Sequence, residues 1–141
     1  MSDFNNWNQQ IISQFRANGG KNVPPFGDNL LLLTSTGAKT GQPRTNPLVY
    51  SRDGERYVII ASKAGAPTSP DWYHNLARNP VATIEVGTEQ FPVRATEVTG
   101  AERDQLYQAH AARFPNFNEY QQKTTRVIPV IVLERLGSPA S

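Results

Sequence analysis

Residues 30–50 read LLLLTSTGAKTGQPRTNPLVY: an apolar run, Leu30–Leu33, then a stretch rich in hydroxyls and glycine, then a return to Leu48-Val49-Tyr50. Apolar β-compatible runs on either side of turn residues predict two strands, Leu30 to Thr34 and Pro47 to Arg52, joined by a polar loop. Gly37 and Gly41 permit backbone turns closed to other residues, and Thr34, Ser35, Thr36 and Thr40 add hydroxyl donors. Lys39 brings a mobile point charge, and Arg44 a planar fork suited to phosphate or carboxylate. The loop is built to hold an anion; the plainer alternative is a surface hairpin that is basic by accident. A Walker-type nucleotide loop is excluded, because no lysine follows Gly41 and strand signals, not helix signals, come next.

Working outward, Asp53-Gly54 predicts a tight turn into a third strand, Arg56 to Ser62, whose apolar run Tyr57 to Ala61 suits a strand covered on both faces. A second Gly-containing basic segment, Ser62 to Thr68, follows. Ser69 as a cap, Pro70 at the first helical position and Asp71 then open a short helix that Asn79-Pro80 ends. Val81 to Val86 and Gln90 to Val98 pair through Gly87-Thr88-Glu89, with Pro92 expected at an edge or bulge. Thr99 to Glu102 has capping-box spacing for a helix through about Arg113, and Val127 to Leu133 forms a last strand. At the amino end, Phe4, Trp7, Ile11, Ile12 and Phe15 lie at helical spacing across residues 3–18, up to the Gly19-Gly20 stop. This helix is expected to pack on the sheet or over a pocket, with peripheral membrane contact the minority alternative because its polar face carries few cations.

Short turns between successive strands favour a mainly antiparallel sheet, and six strands with few covering helices favour closure into a small barrel. The expected class is mainly β (α+β), with an amino-terminal helix and two further helices. The 141 residues make one domain: residues 1–25 form the first helix and a linker, and 137–141 a flexible tail. The chain has no cysteine, which excludes disulfides and thiolate chemistry, and its two histidines, His74 and His110, lack ligand spacing, so no metal is expected. A net charge of +2 is too mild for a nucleic-acid partner. With no signal sequence or membrane-length apolar run, a cytoplasmic location is expected.

Lys39, Arg44 and Lys63 sit on two loops that leave the ends of candidate neighbouring strands, an arrangement suited to one extended anion. Residues 46–49 and 60–62 offer apolar walls, and Trp72 a flat surface, although its spacing with Leu76 equally suits a core position. No nucleophile elbow, carboxylate pair or metal cluster is present, so a bound cofactor is expected to carry any reaction.

Residues 31–48 (LLLTSTGAKTGQPRTNPL), 61–65 (ASKAG), 70–80 (PDWYHNLARNP), 114–120 (FPNFNEY) and 126–132 (RVIPVIV) together resemble the deazaflavin-dependent nitroreductase family of actinobacteria, in order and across roughly residues 30–134. The resemblance implies a split β-barrel and coenzyme F-420, a hydride carrier with an anionic lactyl-phosphate and polyglutamate tail. It implies that Lys39, Thr40, Arg44 and Lys63 meet the tail. Asn46, Pro47, Leu48, Val49, Ile60, Ala61, Ser62, Trp72 and Asn75 would line the ring and its linker. Phe114, Phe117 and Tyr120 fall on the substrate side, with Ser62 or Tyr120 orienting the acceptor or donating a proton. The chain departs from the best-known member in having Ala38 where a second basic residue stands, and Val49, Phe114 and Phe117 where tyrosines stand. Reduction of bulky nitroimidazoles therefore does not follow, whereas hydride transfer to a small quinone, enone or nitro compound does. Flavin mononucleotide is the alternative cofactor, since the same loops suit its phosphate, and a non-catalytic deazaflavin-binding protein is the alternative role. Barrels of this kind often form homodimers, though no patch in the sequence demands it.

Overall fold

The computed structural model describes residues 3–21, 29–62, 65 and 68–136. Seven strands and four helices follow in the order α1 (Asp3–Ala17), β1 (Leu30–Thr36), β2 (Pro43–Val49), β3 (Ser51–Asp53), β4 (Arg56–Ile60), α2 (Asp71–Arg78), β5 (Val81–Val86), β6 (Glu89–Val98), α3 (Gly100–Arg113), α4 (Asn116–Gln122) and β7 (Val130–Arg135). All strand pairs are antiparallel, in the order β2-β1-β5-β6-β7-β4-β3. The two edge strands, β2 and β3, are consecutive in sequence and separated only by Tyr50. The sheet therefore curls until its edges meet covalently at one residue. Above that point, among the described residues, no cross-strand ladder joins β2 to β4. This is a split β-barrel.

The apolar runs explain the layering. Alternate residues of a strand face opposite sides, so Leu31, Leu33, Tyr57, Ile59, Ile131 and Leu133 face inward, where Trp72 and Leu76 of α2 plug the barrel. The intervening Val58, Ile60, Val130 and Val132 face outward beneath α3 and α4, and Leu30 and Leu32 beneath Ile11, Ile12 and Phe15 of α1. Strands buried on both faces need continuous hydrophobic sequence, as seen in β1, β4 and β7. Each such side chain contributes roughly 1.5–3 kcal/mol by leaving water. The plainer expectation for the first helix holds: α1 packs on the sheet, and a bidentate pair from Arg16 to Glu85 secures it.

Several expected boundaries shift. The predicted long loop is mostly strand, because the register from Leu30↔Val49 to Thr36↔Pro43 leaves only residues 37–42 as the turn. The predicted second strand is two, broken at Tyr50, and the turn after β3 is Gly54-Glu55, with Asp53 paired to Arg56. Pro92 lies in a central strand, not at an edge. It is tolerated because it sits just beyond the last β6–β7 pair, Val93↔Arg135, where its carbonyl accepts from Leu136 but no further ladder bond needs its missing N–H. The last strand starts at Val130, leaving Val127 exposed. Neither predicted helix cap forms. Pro70, not Ser69, precedes α2, and the Ser69 hydroxyl is engaged by Arg126. Thr99 makes no side-chain cap, and Glu102 instead pairs with Arg56. The short helix α4 was not anticipated. Residues 24–25 and 137–141 lie outside the described residues.

Candidate active site

Four antiparallel steps separate β1 from β4, so the two strands run in the same direction. Their outgoing loops, Gly37–Gln42 and the segment after Ile60, consequently emerge at one end of the barrel, although β1 and β4 are not the neighbouring strands the sequence suggested. At that end lies the upper part of the split. It is bordered by β2, residues 43–49, which pairs only with β1, and by the end of β4, where the β3 ladder has stopped at Val58.

Register divides the predicted residues between two sides of this border. Arg44, Asn46 and Leu48 pair with Ser35, Leu33 and Leu31 and share their inward face. Pro47 and Val49 pair with Leu32 and Leu30 and face outward. Val49 and Ile60 join Phe114, Phe117 and Tyr120 in one apolar cluster on the outer side of the split. Phe117 is buried, while Val49, Phe114 and Tyr120 remain half-buried. The ring of Tyr120 stands edge-on to Phe117 at 5.1 Å, and Lys123 lies 6.0 Å from its centroid. The structure thus brings the predicted substrate residues together with two predicted ring contacts.

Other predicted contacts are enclosed. Ala61 and Trp72 are sealed in the inner core. Asn75 is buried with both ends of its amide engaged, accepting from the Ala38 N–H at 2.9 Å and donating to Ser35 Oγ at 3.2 Å. These three hold the border from behind. Asn75 in particular fastens α2 to the basic turn. Ser62 is buried, and its carbonyl accepts from the N–H of Gly65 and from Arg126. Lys63 lies outside the described residues.

The turn itself is closed by Gly37 N–H to Gln42 O at 2.8 Å and Gly41 N–H to Gly37 O at 2.9 Å, with Gly41 at φ +72°. A β-carbon at Gly37 would come 2.9 Å from Thr40 Oγ1 and 3.1 Å from Gln42 O, so any larger residue there would make Thr40 or the turn give way. Lys39, Thr40 and Arg44 are exposed on it, and among the described residues neither cation forms an ion pair. Two unneutralised cations beside a hydroxyl form a donor set that fits an anionic tail. The apolar outer wall fits a flat ring.

Four features were not read from sequence. Arg126 and Gly65 join the segment after β4 to α4, and the pair Arg103–Gln121 joins α3 to α4. Behind Phe117, His110 is fully buried, with Nδ1 2.8 Å from Ser51 Oγ and Nε2 without a hydrogen-bond partner. Burial, with Arg113 nearby, pushes its pKa down to about 4, so it is neutral at pH 7. Arg126 and Gly65 stand inside motifs quoted above, and a His in the last helical turn, three residues before an arginine, is the only local hint of the last. A cavity of about 350 Å³ between α2 and β6, lined by Tyr73, Leu76, Pro80, Ala95 and Ile131, shares none of the predicted site residues. At its rim Tyr73 donates to Glu97 at 2.6 Å, which with burial pushes the phenol up to about 12.

Residues 7–135 match the model of the F420H(2)-dependent quinone reductase family. A protein of Mycobacterium tuberculosis named F420H(2)-dependent quinone reductase is 48% identical over 122 residues, covering 82% of this chain and 79% of its own. A solved structure described as an F420-H2 dependent reductase is 37% identical, with a TM-score of 0.70 over 75% of this chain and 94% of that one. Another, described as a domain-swapped dimer, is 33% identical, with a TM-score of 0.72 over 94% of this chain and 98% of that one.

Proposed function

Since the chain belongs to the F420H(2)-dependent quinone reductase family, we propose that it reduces a small quinone at the outer mouth of the split with coenzyme F-420 as its reductant. The observation that carries this reading is that the loops after β1 and β4 leave the same end of the barrel, the first beside Lys39 and Arg44, which form no ion pair among the described residues, and the second beginning at Ile60 of the apolar cluster that holds Val49, Phe114, Phe117 and Tyr120. When bound, the reduced deazaflavin supplies two electrons as hydride.

The protein's part is binding, orientation and exclusion of water. Lys39 and Arg44 neutralise the anionic tail, with Thr40 as a further donor. Asn46, Pro47, Leu48, Val49 and Ile60 border the ring on its two sides. Ala61, Trp72 and Asn75 support that border without presenting free side-chain surface. Phe114, Phe117 and Tyr120 receive the acceptor, with the Tyr120 hydroxyl or Ser62 available to hydrogen-bond a quinone oxygen. Flavin mononucleotide, the alternative left open by the loops, gains no support from the relatives described above. We further propose a homodimer, on the strength of the relative solved as a domain-swapped dimer; light scattering on the purified protein tests it. Among the described residues no helix is long and apolar enough to cross a membrane.

The test of function is a fluorescence titration with oxidised coenzyme F-420, followed by oxidation of the reduced form with menadione. Saturable binding weakened by Lys39→Ala and by Arg44→Ala, together with quinone-dependent turnover, supports the reading. Absence of both binding and turnover overturns it.

A further inference from the structure

Arg126 lies on the connection between α4 and β7, outside every residue set assigned above to cofactor or acceptor. Its guanidinium spans the neck of the segment that follows β4. Nη2 donates to the carbonyls of Ala61 (3.2 Å), Ser62 (2.9 Å) and Thr68 (3.1 Å), and Nη1 to Ser69 Oγ (3.2 Å). Residues 61–62 begin the segment and 68–69 end it, so one planar fork closes it from both sides. Ser69 adjoins Pro70 at the start of α2, which extends the clamp to that helix.

Arg126 is itself held. Its carbonyl accepts from Gln121 Nε2 of α4 at 2.8 Å, and its N–H donates to Thr124 Oγ1 at 3.3 Å. Gln121 Oε1 accepts from Arg103 at 2.7 Å and from the Ile128 N–H at 3.3 Å, and Arg103 donates twice to Ile128 O. The same two bodies touch a second time. Gly65, at φ +83°, is packed so closely on α4 that a β-carbon would come 2.9 Å from Tyr120 O and 3.1 Å from Tyr120 Cα.

We propose that Arg126 is a positioning residue that locks Ala61–Ser62 and Thr68–Ser69 to α4, and so fixes the distance between the ring border at Ile60–Ser62 and the acceptor residue Tyr120. This role rests on the function proposed above and adds to it the element that sets its reacting geometry. A lysine cannot replace the fork, because one ammonium on a flexible stem cannot bridge four acceptors at both ends of the segment. Displacement of the acceptor relative to the ring lowers the rate at saturation more than it lowers occupancy.

The experiment compares the wild-type full chain with Arg126→Lys, Arg126→Met and Gly65→Ala. It measures the dissociation constant for oxidised coenzyme F-420 by fluorescence, kcat and KM for menadione at saturating reduced cofactor, and the thermal midpoint. The expected result is a kcat about tenfold or more below wild type in both Arg126 variants. KM and the cofactor constant change by less than kcat, and the assay stands well below each thermal midpoint. Gly65→Ala perturbs the same contact from the other side with Arg126 in place. It should reproduce the kcat loss, and it decides together with Arg126→Lys if Arg126→Met fails to fold. Folded variants with a lowered midpoint but kcat within about twofold of wild type overturn the assignment. Rescue by Arg126→Lys overturns the fork argument with it. A wild type that neither binds the deazaflavin nor turns over overturns the functional reading, and this role falls with it.

Discussion

On the β2 side of the split, the basic turn is closed by its own backbone and by a neutral amide, Asn75. On the β4 side, the chain leaving Ser62 is gripped by a guanidinium, and the helices behind it bury an imidazole beside Phe117. The first border is a local structure with its charges turned outward to solvent. The second is assembled from residues 57 to 65 positions apart, with its ionisable groups turned inward. The lesson is that the two borders should respond to different variables: the β2 side to salt and ligand charge, the β4 side to pH and to substitutions remote in sequence.

The largest expected effect tests the inward side. The folded protein keeps His110 neutral down to about pH 4, whereas the unfolded chain takes up a proton near 6.5. Between those values the unfolded state binds more protons, so stability present above pH 6.5 is lost as pH falls. At pH 4 the share of His110 in that loss is about 3 kcal/mol. Denaturant titrations of wild type and His110→Leu from pH 7 to pH 4 check this, with a flatter profile expected for the variant. Equal slopes would show that the imidazole is not protected in the fold.

Next in size is Asn75→Ala, which removes the bonds from α2 to the basic turn at Ala38 and to Ser35 of β1, and leaves the Ala38 N–H without its partner. A loss of about 2 kcal/mol is expected in urea unfolding. Weaker binding of oxidised coenzyme F-420 should accompany it. Unchanged affinity would mean that the turn keeps its shape unaided. Smaller again are Lys39→Ala and Arg44→Ala. Each should leave stability within about 0.5 kcal/mol of wild type, yet reduce cofactor affinity up to about fivefold, with the difference shrinking as salt is raised. The smallest effect is expected for Arg16→Ala. Its pair with Glu85 is more than half exposed on the arginine side, so the thermal midpoint should move little and quinone turnover not at all.

Much of this architecture was legible because it depends on local rules. Period-two burial explains the runs at Leu30–Leu33, Tyr57–Ala61 and Val130–Leu133. Glycine marked the turns, and the antiparallel sense of the sheet followed from short connections. The basic turn could be read because Gly37, Lys39, Thr40, Gly41 and Arg44 fall within eight residues. The errors have the same origin. Thr34–Thr36 and Pro43–Asn46 look like loop from composition, but pairing in a ladder outweighs weak local preference. Ser69 and Thr99 carry capping side chains that make no cap, the first because Arg126 engages its hydroxyl.

The amino-acid sequence by itself determined a mainly β fold, its antiparallel barrel and the basic turn, because hydrophobic period, turn chemistry and charge are properties of neighbouring residues. Its motifs also carried the resemblance that the family match confirms. Only the tertiary structure decided that β2 and β3 close the sheet through Tyr50, and that Trp72, Ala61 and Asn75 support the site from behind. It alone joined Arg126 to the two ends of the segment after β4, and Gly65 to Tyr120. Those facts depend on which distant groups share a volume. That is set by how the whole sheet curls, and no window of sequence contains it.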